Sequence, residues 1–562
     1  MAVVRKPKGT EPDLVFVALG GIGEIGMNAY LYGYGPPDDR RWLMVDLGVT
    51  FPGGGEPGVD VIMPDLRFIE GERRNLDGLV LTHGHEDHLG AVLDLWPRLK
   101  VPIYATPFTA RLLKAKIAEE QPSLQLPIRE IPLKSRFNVG PFDIELVNVS
   151  HSIPESNALA IRTPLGLVLH TADWKIDSGP VAGVPTDEAR LRELGDEGIL
   201  ALICDSTNAL RDGISPSERE VGNTLERLIL EAPKRVAVTT FASNVGRVRC
   251  VAEAALKARR EVVVAGRALH RVIAVAQETG YLSPDLRFHD QDAFPSFPKE
   301  RIVALLTGSQ GESRAALARI AAREHPVVSL SAGDTVIFSS RPIPGNEEAI
   351  GRVLNGLADQ GVRVIGDGDA LVHVTGHPRR GELEQMYAWC RPRCLIPMHG
   401  EARHLEEQGR FALSKGVKSV LQVRNGRMTR LAPGEIKIID EVPVGRLYRD
   451  GSLLIDSDDG PVRDRRKLSY VGIAVVSLVM ERDGELAADP QLVLDGVPTK
   501  AGDRGVMEDH VLDAIEGAIE SIPRARRKDP ERLREAVSRA TRSAIAEVWG
   551  KKPICKVLVT VL

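Results

Sequence analysis

The feature that most constrains this chain is a set of short apolar runs that all stop at residues capable of chemistry. DGLVLTHG, FDIELVNVSH, LGLVLHTAD and GILALICDSTN, within residues 14 to 210, read as strands ending on His, Asp or Asn. Strand ends of this kind place functional side chains on loops carried by a rigid scaffold. The densest is LTHGHEDHLG, where His83, His85, Asp87 and His88 fall within six residues. Four such side chains this close together are not there to pack a core. Neutral imidazoles and a carboxylate suit zinc and similar divalent ions. One tight loop can serve two neighbouring metals, because adjacent side chains diverge. A solvated polar turn is the bland alternative.

At 562 residues the chain has length for roughly three or four domains of ~150 residues. A formal net charge of −4 argues against a uniformly basic coat, so a nucleic-acid partner would have to meet a local basic groove. The first residues, MAVVRKPKGTEPD, hold no apolar signal core, and no run reaches the ~18 apolar residues of a membrane span. A cytoplasmic protein without a membrane partner is the expectation. Five scattered cysteines suit reduced thiols. Cys390 and Cys394 form the only close pair, and with Pro392 between them they read as two buried side chains sooner than as a structural zinc site.

LVFVALGGIGEIGMN carries the Gly21-x-Gly23-x-x-Gly26 spacing of dinucleotide-binding loops, and Asp46 closes the next apolar run at a matching interval. Such a loop must open a helix. Here MNAYLYGYGPPDD follows, with alternating tyrosines and then Gly33, Gly35, Pro36 and Pro37, which predicts a β-meander. Nicotinamide and flavin are therefore not expected, and the glycines read as a tight turn leaving room for a nucleic-acid backbone.

Further along, residues 211 to 370 alternate strand-like runs (RVAVTTFAS, EVVVAG, RIVALLTG, DTVIFSS) with helix-like ones, the pattern of a parallel α/β sheet. LVHVTGHP and LIPMHGE return to polar-ended strands in residues 371 to 440. Residues 441 to 468 are charged and glycine-bearing and read as a linker, and 469 to 562 as a small α+β domain.

The HxHxDH loop resembles that of the metallo-β-lactamase-fold hydrolases at every fixed position, and further family residues follow in order: Asp46, His151 in VSHSIPES, Asp173 in HTADWKID and His399 in IPMHGE. The resemblance implies an αββα sandwich. It also implies that His83, His85 and His151 hold one metal, that Asp87, His88 and His399 hold another, that Asp173 bridges them, and that Asp46 orients ligands from behind. Two divalent ions are expected, zinc foremost, with manganese or magnesium as alternatives for turnover. His170, His270, His289, His325, His404 and His510 receive no role.

Roughly 225 residues separate Asp173 from His399, and the intervening α/β segment resembles the β-CASP insertion of nucleic-acid-cleaving members. Asp205 in CDSTN, His377 in HVTGHP and His399 match that branch's extra motifs. With GGIGEIGMN, DSTN, TFASN and the C-terminal α+β domain, the whole chain is similar to the ribonuclease J family. The resemblance implies hydrolysis of single-stranded RNA, 5′ to 3′ from a monophosphorylated end and also internally, in RNA decay and ribosomal RNA maturation. A hydroxide activated by the two metals would be the nucleophile, with Asp87 in the catalytic set. His377, paired with Asp205, is the candidate proton donor to the leaving 3′ oxygen. In a plainer reading, His377 binds phosphate and Asp205 orients it. His373, Val374, Thr375, Gly376 and His377 would contact RNA phosphate, with Thr375 standing where the family usually has Ser.

In TFASNVGR, Ser243, Asn244 and Arg247 could face RNA, or Ser243 could cap the helix that follows. RARRKDPERLR reads as a solvated helix face. A homodimer or homotetramer and RNA-decay protein partners are further expectations. A nuclease acting on DNA and a catalytically silent RNA-binding scaffold are the alternatives.

Overall fold

The computed structural model describes residues 11–343 and 345–562. Most of the amino-terminal segment read above therefore lies outside the described residues. The chain divides into two compact units, one comprising residues 1–50 and 62–447, the other 51–61 and 448–562.

The first unit is built on two facing sheets. The eight-stranded one is founded on the meander Asp13–Gly20, Ala29–Gly35 and Arg41–Val45, paired antiparallel in sequence. It continues in parallel through Leu76–Val80. No helix follows Gly26, so the crossover that a dinucleotide fold requires is missing here. The six-stranded sheet runs Cys394–Met398, Ile199–Asp205, Gly166–His170, Asn157–Thr163, Phe142–Asn148, Arg136–Val139. Alternation along these strands sends Phe16, Tyr32, Leu43 and Val80 from one sheet against Ile144, Leu159, Val168 and Ile203 from the other. The opposite face of the six-stranded sheet buries Leu169, Leu202 and Leu395 under Leu191, Leu194, Met386 and Trp389 from the helices Glu188–Glu197 and Arg380–Cys390. On the far side, the helices Val92–Leu99 and Pro107–Glu120 connect parallel strands of the larger sheet. The layers are those of an αββα sandwich.

The insertion is a wholly parallel six-stranded sheet that includes Val236–Thr239, Glu261–Ala265, Ile302–Leu306 and Thr335–Phe338. Both faces are buried. Val236, Val262, Val264 and Leu305 face one helical layer; Ala237, Val263, Ala304 and Phe338 face the other. That is why these strands read as unbroken apolar runs.

Two local readings change. LVHVTGHP, expected as a strand, has no strand between Ile365 and Arg380. The Val372 carbonyl is taken instead by the Arg247 guanidinium and the Ser339 hydroxyl, in place of a ladder. Residues 441 to 468, expected as a linker, hold the strands Arg446–Asp450 and Leu453–Asp456 and most of the helix Gly460–Val471. In the second unit, Ile473–Met480 lies between Gln491–Asp495 and Ile554–Val561, and its Ala474, Val476 and Leu478 pack on Val511, Ile515, Leu533 and Val537. Arg524, Arg532 and Arg534 of the basic segment are all ion-paired at the surface. Among the described residues no helix is long and apolar enough to cross a membrane.

The glycine loop is packed by the protein's own atoms, so at its start it leaves no room for a ligand backbone. A Cβ on Gly21 (φ +84°) would sit 2.4 Å from both Asn28 Oδ1 and Tyr30 Oη, whereas one on Gly23 (φ +91°) would come no nearer than 3.5 Å to the Arg424 side chain. Both alanine variants share the left-handed strain, but only Gly21→Ala adds a collision, worth about 1–3 kcal/mol. Denaturant unfolding is expected to rank Gly21→Ala below Gly23→Ala by that margin.

Candidate metal centre

The loops after five strands converge where the two sheets meet at one end. The His83–His88 loop leaves Leu76–Val80, and His151, Asp173, Asp205 and His399 follow Phe142–Asn148, Gly166–His170, Ile199–Asp205 and Cys394–Met398, Asp205 being the last residue of its strand. His83, His85, His151 and Asp173 offer ligand atoms that all lie within 4.8 Å of one another. Asp87, His88, Asp173 and His399 form a second such group, and Asp173 belongs to both. Its Oδ2 is 3.1 Å from His88 Nε2 and 3.8 Å from His151 Nε2.

Whether these groups fit divalent ions can be judged from the imidazole nitrogens. Each of four rings has its Nδ1 against an oxygen: His83 against Thr82 Oγ1 at 3.0 Å, His88 against Asp46 Oδ2 at 2.7 Å, His151 against the Gly376 carbonyl at 2.6 Å, and His399 against Asp173 Oδ1 at 2.5 Å. An Nδ1–H donating to such an acceptor leaves Nε2 bare, the tautomer a metal ligand needs. The bare nitrogens point inward. His83 Nε2 and His151 Nε2 each lie 3.0 Å from His85 Nδ1. His399 Nε2 is buried without a hydrogen-bond partner, 3.3 Å from Asp87 Oδ2. Lone pairs gathered in this way repel unless a cation sits among them, so the donor set fits two divalent ions.

Charge divides the two halves. Burial, then the neighbouring imidazoles, hold His83 and His151 well below the ordinary histidine range, and burial brings His85 down to about 4. These three imidazoles are held neutral, the form in which a ring nitrogen can donate to a cation. For His88 and His399 burial pulls the same way but loses to the carboxylates: Asp173, Asp87 and Asp46 carry His88 well above its usual range, and Asp173 with Asp87 raises His399 to about 10. Asp87 and Asp173, despite burial, stay well below the usual carboxylate range because of those same imidazoles. A cation bound in this half would take the place of protons.

Behind the ligands, the Asp46 carboxylate is completely buried and accepts from the Thr82 amide and hydroxyl, both at 2.8 Å, as well as from His88. Burial raises its pKa, against the pull of His88 and Thr82. Asn28 supports the loop from the other side. Its Nδ2 lies 3.0 Å from His88 Nε2 and donates to the Asp87 carbonyl at 3.0 Å, while Tyr30 donates to its Oδ1 at 2.7 Å. Neither Asn28 nor Tyr30 was legible as part of a site, since only the meander brings them there. His170, without a role in the sequence reading, lies in the same buried layer: Tyr32 Oη is 2.9 Å from its Nδ1, and burial together with His88 brings it to about 3.

Beside these donor groups, Asp205 Oδ2 is 2.7 Å from His377 Nδ1. Burial lowers the His377 imidazole, but Asp205 and Asp173 outweigh it and leave it above the ordinary value. Its side chain is 21% exposed, so its other nitrogen can meet a substrate. Thr375 Oγ1 accepts from Asn208 Nδ2 at 2.7 Å and from the His377 amide at 3.2 Å, which leaves its own proton to donate. The Val374 side chain is core, and Gly376 presses on His151, where a Cβ would sit 2.6 Å from the ring. His373 is brought to about 3 by burial and by Arg247 and Arg341.

In TFASNVGR the helix cap is Asn244, whose Oδ1 accepts from the Arg247 amide at 2.9 Å. Ser243 is half-buried and makes no cap. Arg247 is fully buried against Glu218, so it does not face RNA. Cys390 and Cys394 are buried, their sulfurs against Met386 Sδ and the Leu395 carbonyl.

Comparison with known proteins matches the sandwich and the insertion separately. Residues 55–180 match the beta-lactamase superfamily domain, 233–357 the beta-CASP domain of ribonuclease J, and 460–562 the ribonuclease J C-terminal domain. A crystal structure of a protein of unknown function from Enterococcus faecalis shares the fold at TM-score 0.52 and 17% identity, covering 74% of this chain and all of that one. The ribonuclease J of Sinorhizobium meliloti is 53% identical across 98% of both chains. That of Thermus thermophilus is 35% identical across 97% of this chain and 95% of its own. With its metal-type donor sets, its insertion and its C-terminal unit all accounted for, the chain belongs to the ribonuclease J family.

Proposed function

We propose that this protein is a metal-dependent cytoplasmic ribonuclease that hydrolyses RNA 5′ to 3′ from a monophosphorylated end and also cuts internally, in RNA decay and ribosomal RNA maturation. The observation that carries this reading is the pair of donor sets sharing Asp173, set beside a solvent-reaching His377–Asp205 pair. The kinship with ribonuclease J supplies the substrate class.

His83, His85 and His151 would hold one ion, Asp87, His88 and His399 the other, and Asp173 both. Divalent ions, zinc foremost, supply Lewis acidity and water acidic enough to serve as a nucleophile near neutral pH. The protein's own groups do the rest. Asp46 keeps the His88 ring aimed through its Nδ1. Asp205 favours the protonated His377 imidazole, which then gives its outer proton to the departing 3′ oxygen. The free Thr375 hydroxyl would donate to a phosphate oxygen of the strand, the His373 ring and the loop amides of Val374 and Gly376 would line the same path, and Ser243 would meet RNA from the insertion. Although the net charge is −4, guanidinium groups gather beside this loop: burial, then Arg341 and Arg379, lower the Arg211 pKa against the pull of Asp367, which itself pairs with Arg341.

Metal analysis of the purified protein is expected to give two divalent ions per chain, and a chelator is expected to stop hydrolysis of labelled RNA. Asp87→Ala or His88→Ala should fall to the chelator-treated level with the fold intact; fewer than one ion per wild-type chain would favour a silent scaffold, and equal cleavage of labelled DNA would overturn the RNA assignment. His377→Ala should keep its metals and lose about 10²–10⁴-fold in kcat, whereas a loss confined to KM would reduce His377 to a phosphate contact. On matched RNAs with 5′-monophosphate, 5′-triphosphate or circular ends, mononucleotides are expected chiefly from the monophosphate substrate and internal fragments from all three. Equal mononucleotide release from mono- and triphosphate ends would remove the end preference.

A further inference from the structure

Arg247 lies in the first turn of the insertion helix Val245–Lys257 and is wholly buried. Its Nη2 meets the Glu218 carboxylate at 3.0 and 3.1 Å, and its Nη1 donates to the backbone carbonyls of Val372 and Ser339, each at 3.0 Å. Val372 immediately precedes the HVTGH loop. On the other side, the Glu218 amide donates to Asp177 Oδ2 at 3.0 Å, and Asp177 pairs with Lys175 at 2.9 Å, two residues beyond Asp173. The Lys175 amide donates to the Ser150 carbonyl at 2.8 Å, next to His151, and the His151 ring reaches back to Gly376 within HVTGH. The contacts close into a ring that joins two metal-ligand loops to the phosphate loop by way of the insertion.

We propose that Arg247 is a positioning residue for the reaction, holding the HVTGH loop, and with it Thr375 and His377, in register with the metal ligands. The loop has no strand ladder to place it, and the Val372 carbonyl depends on side-chain donors. A planar guanidinium can satisfy a carboxylate and two carbonyls at once; an ammonium, compact and on a flexible stem, cannot span them. A buried cation is tolerated only where its donors are used in this way. The inference rests on the reading of Thr375 and His377 as substrate-facing.

Two variants test it. R247K keeps the charge beside Glu218 but loses the reach to the carbonyls. R247L/E218L removes both charges, leaves no buried carboxylate unpaired, and preserves apolar packing. Each is compared with wild type for metal content, for hydrolysis of bis(p-nitrophenyl) phosphate, whose leaving group needs no proton donor, and for kcat and KM on 5′-monophosphate RNA. Displacement of the loop by about 1 Å predicts a loss of about a hundredfold in kcat/KM on RNA, while metal content stays at the wild-type level and the small diester changes less than about threefold. RNA cleavage at the wild-type rate in R247K and in the double variant would overturn the proposal. So would parallel loss of metal, diester and RNA activity, which marks a purely structural pair. Wild-type protein that binds two metals yet leaves RNA intact would instead refute the ribonuclease reading beneath it.

Discussion

Everything at this centre depends on a single buried carboxylate. Asp46 accepts three hydrogen bonds at once, an amide and a hydroxyl from Thr82 just before the HxHxDH loop and an imidazole from His88 within it. A buried carboxylate with fewer partners would be costly. With all three it fixes where the loop begins, how the Thr82 side chain turns, and which nitrogen of His88 faces inward. Through Thr82 it also reaches His83. The geometry of the candidate donors is thus set one layer behind them, before any ion is considered.

The same centre concentrates backbone strain. Asp46, Ala172 and His399 have φ of 61°, 49° and 48°, the left-handed region that side chains avoid, and each stands just beyond a strand or within two residues of its end. Strain of this kind persists where surrounding contacts over-determine it. The contacts here are identifiable: the Asp46 amide donates to the Val80 carbonyl and the His399 amide to the Gly21 carbonyl, while Gly400 abuts Ser206. An abrupt turn at each strand end directs the side chain across the mouth of the sandwich.

What could be read from the sequence follows from distance along the chain. The HxHxDH loop is local, so its chemistry was visible in ten letters, and Asp46, His151, Asp173, Asp205 and His399 were visible because a strand stops just before or at each. The parallel insertion was visible because strands covered on both faces are apolar throughout. Asn28 and Tyr30 were hidden: they sit in alternating strand sequence, and only the pairing with Asp13–Gly20 carries them under the metal loop. The place of Arg247 stayed open because a polar residue near TFASN suits an exposed helix start as well as an RNA contact, and its partner Glu218 lies on another helix. LVHVTGHP alternates as a strand does, yet its carbonyls are claimed by side chains from elsewhere. The 441 to 468 segment hid its strands and helix beneath a charged composition, which its surface elements share with true linkers.

The tie between Gly21 and His399 has a consequence for how the molecule comes into being. The Gly21 carbonyl holds the amide of His399, and Asp13–Gly20 takes its outer neighbour from Arg427–Ala432. During synthesis, the HxHxDH loop and its first partners emerge long before these pieces exist. Contacts closed over such intervals form late. A nascent chain that has not yet reached His399 therefore carries six of the seven candidate donors without the strand end that completes the set. The centre is complete only after the insertion has been made and the sandwich has closed over it.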